Sequence, residues 1–154
     1  MIKRMLFDTE GSLWIGTDSS LYRYDRRLQM QALFVHDPRN PGSIAFGGGS
    51  SILEDRSGDI WVGTLGGLNG LDKQTQSFKR FVYDEGDSSS LSNSMVLTVF
   101  EDRSGVVWIG TNDGLNRFNE ASQTFSRFFP ADRRKGSSVS HILEDDRGFF
   151  WFAW

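Results

Sequence analysis

An all-β fold built of four-stranded antiparallel units is predicted by three observations: self-similarity at a fixed offset, a composition poor in helix formers, and turn residues at regular places. The segment ILEDRSGDIWVGTLGGLNGLDKQTQSFKRF, Ile52 to Phe81, returns 47 residues later as VFEDRSGVVWIGTNDGLNRFNEASQTFSRF, Val99 to Phe128. The same offset projects backwards onto MLFDTEGSLWIGTDSSLYRYD, Met5 to Asp25. Trp14, Trp61 and Trp108 therefore stand in register, as do Gly11, Gly58 and Gly105, Leu21, Leu68 and Leu115, and Phe34, Phe81 and Phe128. A fourth copy opens at ILEDDRGFFWFAW, where Trp151 follows Trp108 by 43 residues. Seventeen Gly, five Trp, three Tyr and 13 Phe beside three Pro suit short strands, tight turns and aromatic packing.

The elements of one repeat follow from local chemistry. Met95 to Glu101, rich in Val, Leu and Phe, reads as strand one. Asp102-Arg103-Ser104-Gly105 supplies an Asx-type acceptor and a Gly able to take positive φ, which predicts a tight hairpin into strand two, Val106 to Thr111. Asn112-Asp113-Gly114 is the strongest hairpin signal, because Asp-Gly suits both central positions of a type I′ turn. Leu115 to Asn119 follows as strand three, Glu120 to Gln123 as a turn, and Thr124 to Phe129 as strand four. Runs such as Val106-Val107-Trp108-Ile109 are apolar on both faces, so each sheet is expected to be covered on both sides.

Repeats of about this length that stack sheet on sheet fit either a β-propeller or a linear β-solenoid. The period selects the propeller, since solenoid coils are shorter and lack a hairpin after each strand. The repeats run over residues 1–48, 49–95, 96–138 and, in part, 139–154, within one domain. Together they predict about three and a half blades, where closure ordinarily needs at least about four. The chain is therefore expected to be a piece of a longer propeller, with sticky outer faces. Ala45-Phe46-Gly47-Gly48-Gly49 replaces the residues that open strand one in the third repeat, which predicts a late start or a bulge.

Seventeen Lys and Arg against 20 Asp and Glu give a net charge of -3, too balanced for a nucleic-acid or membrane-surface binder. No stretch approaches 18 apolar residues, so no direct membrane contact is expected in this segment. With no Cys, disulfides, thiolate metal sites and cysteine catalysis are excluded.

EDRSGDIWVGTLGGLNGLD and EDRSGVVWIGTNDGLNRFN, with the preceding SSSLSNSMVLTV and the aromatic of QTFSRF, resemble the two-component regulator propeller repeat. The resemblance covers nearly the whole chain. It implies seven-bladed propellers in the periplasmic part of hybrid sensor histidine kinases that sense polysaccharide fragments. It further implies that membrane, kinase, receiver and DNA-binding parts follow in a larger parent, with phosphorelay as its output.

Candidate chemistry has a structural alternative at nearly every point. Glu54-Asp55 looks like an acid/base pair, yet it recurs as Glu101-Asp102 and Glu144-Asp145, and a repeated pair reads as a turn device. The stretch from Glu54 to Trp61 is similar to the Asp-box of sialidase-type propellers, but Arg56 occupies the aspartate position. His36 and His141 have no partner pattern nearby, and Gly47-Gly48-Gly49 lacks the Lys-Ser/Thr and helix of a phosphate loop. No catalytic residue, metal site or cofactor is predicted. The in-register Trp residues read as blade core, and only Trp154 stands outside the register. Lys79-Arg80 reads as part of an outer strand.

Repeating positions are scaffold, so binding is expected where the repeats differ. The candidates are Asp18, Ser19, Phe46, Asn93, Asn112 and Asp113, with the basic group Arg133, Arg134 and Lys135 for an anionic ligand. The resemblance makes an oligosaccharide the expected ligand and the remaining blades of the parent the expected partner. Two alternatives are a protein-interaction scaffold and a piece of a carbohydrate-active propeller enzyme, a lyase or hydrolase.

Overall fold

A computed structural model describes residues 1–132 and 137–153. Its strands form three four-stranded meanders and one two-stranded pair. The first blade comprises β1 (Ile2–Phe7), β2 (Leu13–Thr17), β3 (Ser20–Tyr24) and β4 (Met30–Val35). The second comprises β5 (Ser51–Glu54), β6 (Ile60–Thr64), β7 (Gly67–Asp72) and β8 (Ser77–Phe81). The third comprises β9 (Val96–Glu101), β10 (Val107–Thr111), β11 (Gly114–Asn119) and β12 (Thr124–Phe128), and β13 (His141–Glu144) pairs with β14 (Phe150–Ala153). All pairings are antiparallel between consecutive strands. The first strands β1, β5, β9 and β13 are neighbours in that order, so the blades radiate from one axis. This is an incomplete β-propeller. β5 starts late, as the glycine run predicts, and Gly47 and Gly48 take φ of 95° and 57°.

The core lies between blades, because each sheet is apolar on both faces. Trp14 and Leu21 of the first blade pack against Ile52, Ile60, Val62, Leu71 and Phe78 of the second. Trp61, Leu68 and Phe81 of the second blade meet Val99, Val107, Ile109, Phe118 and Phe125 of the third. The Trp residues divide according to what lies beyond them. Trp14 and Trp61 are buried, Trp108 is half-buried against the two-stranded unit, and Trp151 is 61% exposed, a correction to the expectation that all four are core. Nothing among the described residues covers the outward side of β14, so its Trp ring stays in solvent. Trp154 lies outside the described residues.

The repeated Glu-Asp pair is structural in both members. Each Asp closes its own turn and anchors its own Trp: Asp55 Oδ1 accepts from the Ser57 and Asp59 amides, and Oδ2 accepts from the Trp61 indole at 2.8 Å. Asp8, Asp102 and Asp145 hold Trp14, Trp108 and Trp151 in the same way. Each Glu reaches back one blade. Glu54, Glu101 and Glu144 accept from the backbone amides of Thr9, Arg56 and Arg103, one after another around the axis. The Gly of the Trp-x-Gly-Thr run is required by close approach. A Cβ on Gly16 would stand 2.3 Å from the Gly49 carbonyl oxygen, and one on Gly110 would stand 2.4 Å from that of Val139.

These carboxylates make the fold sensitive to acid. Burial pushes the Asp102 carboxyl up, but hydrogen bonds from the Trp108 indole and the Val106 and Ser104 amides, with the nearby Arg56 charge, hold it below its ordinary value. The Trp151 indole and the Phe149 amide do the same for Asp145. A carboxyl with a depressed folded pKa contributes stability above its unfolded pKa, about 3.9 for Asp, and loses it as pH falls through the folded value. Chemical melts should therefore show no contribution from these groups to the pH dependence between about pH 7 and 5 and a steady loss below about pH 4. Asp102→Asn should lower the midpoint at neutral pH and flatten that acid limb; an unchanged limb would remove Asp102 from this role.

Candidate functional site

A meander places its hairpins at alternating ends. The turns after first and third strands lie at one end of each blade; the turns after second strands and the connections between blades lie at the other. Asp18, Ser19, Phe46, Asn93, Asn112 and Asp113 all belong to the second set, so the topology gathers the non-repeating candidates at one end. Backbone bonds stitch this end together. Gly49 donates to the Thr17 carbonyl, Gly66 to that of Phe46 at 2.9 Å, Asn112 to that of Met95 at 3.0 Å, and Gly114 to that of Ser137. The candidates nonetheless occupy three successive blades, and among the described residues no hydrogen bond or ion pair links Asp18 or Ser19 to Asn112 or Asp113.

Their surroundings differ. Asp18 accepts from the chain-start ammonium at 2.8 Å and pairs with Lys3 at 3.0 Å, and these hold its carboxyl below the usual range. Ser19 lies beside Ser20, the hydroxyls 3.4 Å apart. Phe46 is 63% exposed, its ring edge-on to His36 at 6.3 Å. Asn93 turns inward in function, its Oδ1 accepting from the Met95 amide at 2.8 Å, which makes it a loop-shaping residue. Leu65, Tyr83 and Met95 add exposed apolar surface at the same end. Arg133, Arg134 and Lys135 lie outside the described residues. Among those described, no cluster of His, Cys, Asp and Glu could hold a metal ion, and no helix is long and apolar enough to cross a membrane.

The Asn112-Asp113-Gly114 turn is not of type I′. Thr111 pairs with Gly114, so Asn112 and Asp113 are the central residues, and neither has positive φ; only Gly114 does, at 110°. The Thr111 hydroxyl closes the turn instead, donating to the Gly114 carbonyl at 3.0 Å and accepting from the Asp113 amide. A side-chain clamp thus replaces the backbone conformation that Asp-Gly suggests.

Two residue types that support the loop end are absent from the sequence-based candidates. Asn69 and Asn116 are fully buried, each accepting from a connection amide, Ala45 and Ser92 respectively, at 2.8 Å. Arg80 and Arg127, on the fourth strands, donate to connection carbonyls: Arg80 to Ser43 and Asn40, Arg127 to Ser90 and Asp87. Arg80 is therefore a brace for the connection. All four recur at the offset of 47, and that recurrence was the available signal.

Residues 50–66 and 90–113 match the family model described as two component regulator propeller. No curated protein matches the chain. Among solved structures, the chain is similar to the extracellular domain of the hybrid two-component system BT3049 from B. thetaiotaomicron, with a TM-score of 0.84 at 20% identity, covering 98% of this chain and 22% of that one. The extracellular domain of BT4673 from the same organism matches with a TM-score of 0.57 at 20% identity, over 99% of this chain and 27% of that one. Virginiamycin B lyase from Staphylococcus aureus matches with a TM-score of 0.70 at 14% identity, over 98% of this chain and 48% of the lyase. At these identities the likeness establishes the fold, and the chain spans under half the length of each. The family's repeat is thus matched in the second and third blades, and the first blade shares their register at the offset of 47 residues.

Proposed function

We propose that this chain is the ligand-sensing part of an extracytoplasmic two-component sensor, binding an oligosaccharide at the loop end and performing no chemistry itself. One observation carries the reading: the non-repeating candidates are collected at one end, where the connections carrying Phe46 and Asn93 are braced by buried Asn69 and Asn116 and by Arg80 and Arg127. A fixed frame under variable loops is a recognition surface. The family match and the likeness to extracellular domains of two-component systems support the sensor role and a place outside the cytoplasm, which we assign to the periplasmic side of an inner-membrane kinase. Exposed Met5, Phe7, Leu143 and Trp151 support further blades as the partners of the two outer faces.

Calorimetric titration of the complete parent propeller with glycan fragments tests this. Phe46→Ala should weaken binding about tenfold, because an exposed aromatic gives a sugar face its stacking surface at little cost to folding. Replacing Arg133, Arg134 and Lys135 with Ser should flatten the salt dependence for anionic glycans and leave neutral ones unchanged. Unaltered affinity in Phe46→Ala removes the loop end from the site. Glycan turnover abolished by a substitution within this chain overturns the binding-only reading.

A further inference from the structure

At the opposite end lies a cleft of about 810 Å³ between the second and third blades, lined by Trp61, Gly70, Asp59, Asp72, Lys79 and Phe118 among others. That volume is within the range of small-molecule sites. Two departures in the repeat fall within the cleft. Across second and third strands, Trp14 pairs with Arg23 and Trp108 with Arg117, but Trp61 pairs with Gly70. In the first blade the Arg23 guanidinium stands 5.5 Å from the Trp14 ring centroid, and its Nε donates to Ser12 Oγ. Trp14 is wholly buried beneath it.

The second blade has the same frame without the cation. Gly70 takes the place of Arg23, and Asp59 takes the place of Ser12, so the hydroxyl acceptor becomes a carboxylate. Among the described residues the Asp59 carboxylate has no hydrogen-bond or ion-pair partner; only its backbone is engaged, in the turn closed by Asp55. Trp61 keeps 8% exposure where Trp14 keeps none. Lys79 is the cross-strand neighbour of Gly70, yet its ammonium lies 5.0 Å from the Phe81 ring and donates to Gln123 at 2.8 Å. The carboxylates lining the cleft outnumber its cations by five to three.

We propose that this cleft binds a guanidinium-bearing ligand, with the guanidinium on the Trp61 ring and paired to Asp59. A guanidinium suits the place better than an ammonium because it is planar, stacks on an indole face and gives up its hydration more readily. The first blade shows the arrangement already made within the chain by Arg23. The ligand is either a small guanidine or the arginine of a peptide, and both share this head group.

The test is the indole N–H resonance of Trp61, assigned by its loss in Trp61→Phe, in titrations of the full chain with agmatine and with the tripeptide Gly-Arg-Gly. Both should shift that resonance saturably, and the tighter of the two names the source. Asp59→Asn, at an exposed turn position, should weaken binding about tenfold. Gly70→Arg should abolish it by supplying the cation internally, and should place the Trp61 resonance where the ligand places it in the parent chain. Gly70 lies outside the left-handed region, and a Cβ there would stand 3.3 Å from the Trp61 ring edge, so the backbone accepts the substitution once that ring gives by a few tenths of an ångström. Trp61 unmoved by millimolar agmatine and peptide overturns the proposal, as does a response that Asp59→Asn leaves unaltered. Glycan binding at the loop end should be the same in Asp59→Asn, so the two sites fail or stand separately.

Discussion

Trp61→Ala is expected to destabilise the chain by about 3 to 5 kcal/mol, the range for truncating a large aromatic in a packed core. The ring joins two blades. Its centroid lies 6.1 Å from that of Phe81 in its own blade and 5.0 Å from that of Phe118 in the next, edge-on to the latter. Removal opens a void between the two sheets, which Glu101 also ties together by accepting from Arg56. It also leaves Asp55 Oδ2 without its indole donor. Trp151→Ala, at a ring that is mostly in solvent, should cost below about 1 kcal/mol. Chemical denaturation of both variants measures the contrast. A loss below about 1 kcal/mol at Trp61 would show that the space between blades is not the core.

Asn69→Leu is expected to cost about 2 to 4 kcal/mol despite a gain in apolar volume, since it strands several buried polar groups at once. Asn69 Oδ1 is the acceptor for the Ala45 amide, and its Nδ2 donates to the carbonyls of Val62 and Gly67. Ala45 is itself buried, so water cannot replace the lost acceptor. The effect should be uneven. The Ala45 amide should lose hydrogen-exchange protection, and the connection carrying Phe46 should become sensitive to protease, while amides of β10 and β11 keep their protection. Unchanged exchange at Ala45 would show that the connection is held by other means. Because Phe46 sits one residue further on, the same variant should also weaken ligand binding at the loop end in the complete propeller.

The periodic part of this architecture was legible because each strand needs the same chemistry in every copy. The register of Trp, Gly and Leu at 47 residues located the blades, and Asp-x-x-Gly located the hairpin that opens each second strand, where Gly105 takes φ of 85°. The role of Glu54 and Glu101 was legible only as that of a repeated turn and scaffold device. Their partners, the amides of Thr9 and Arg56, lie 45 residues back, and the curvature of the ring brings them together. The turns before the fourth strands were less legible. Gln76 and Gln123 adopt φ of 56°, a conformation their side chains do not advertise. Each is tied in place by its own amide group, which donates to the carbonyl of Lys73 or Glu120.

Local chemistry along the chain sets the unit: four strands, their order, the turn chemistry and the faces that must be apolar, all of which arise from contacts within about 40 residues and from a period that strand geometry imposes. The tertiary structure decided how much of each apolar face is covered. Trp14 and Trp151 occupy the same position of the repeat, yet one is buried and the other exposed, because burial depends on the neighbouring blade. It also decided where the proposed binding surfaces lie. Gly70 is an unremarked small residue in a strand until Arg23 shows what the same position does in the preceding blade, and Asp59 is one more turn carboxylate until the cleft beside Trp61 suggests the role proposed for it. Such vacancies are differences between copies of a unit, and only the packing of one copy on the next turns a missing side chain into space.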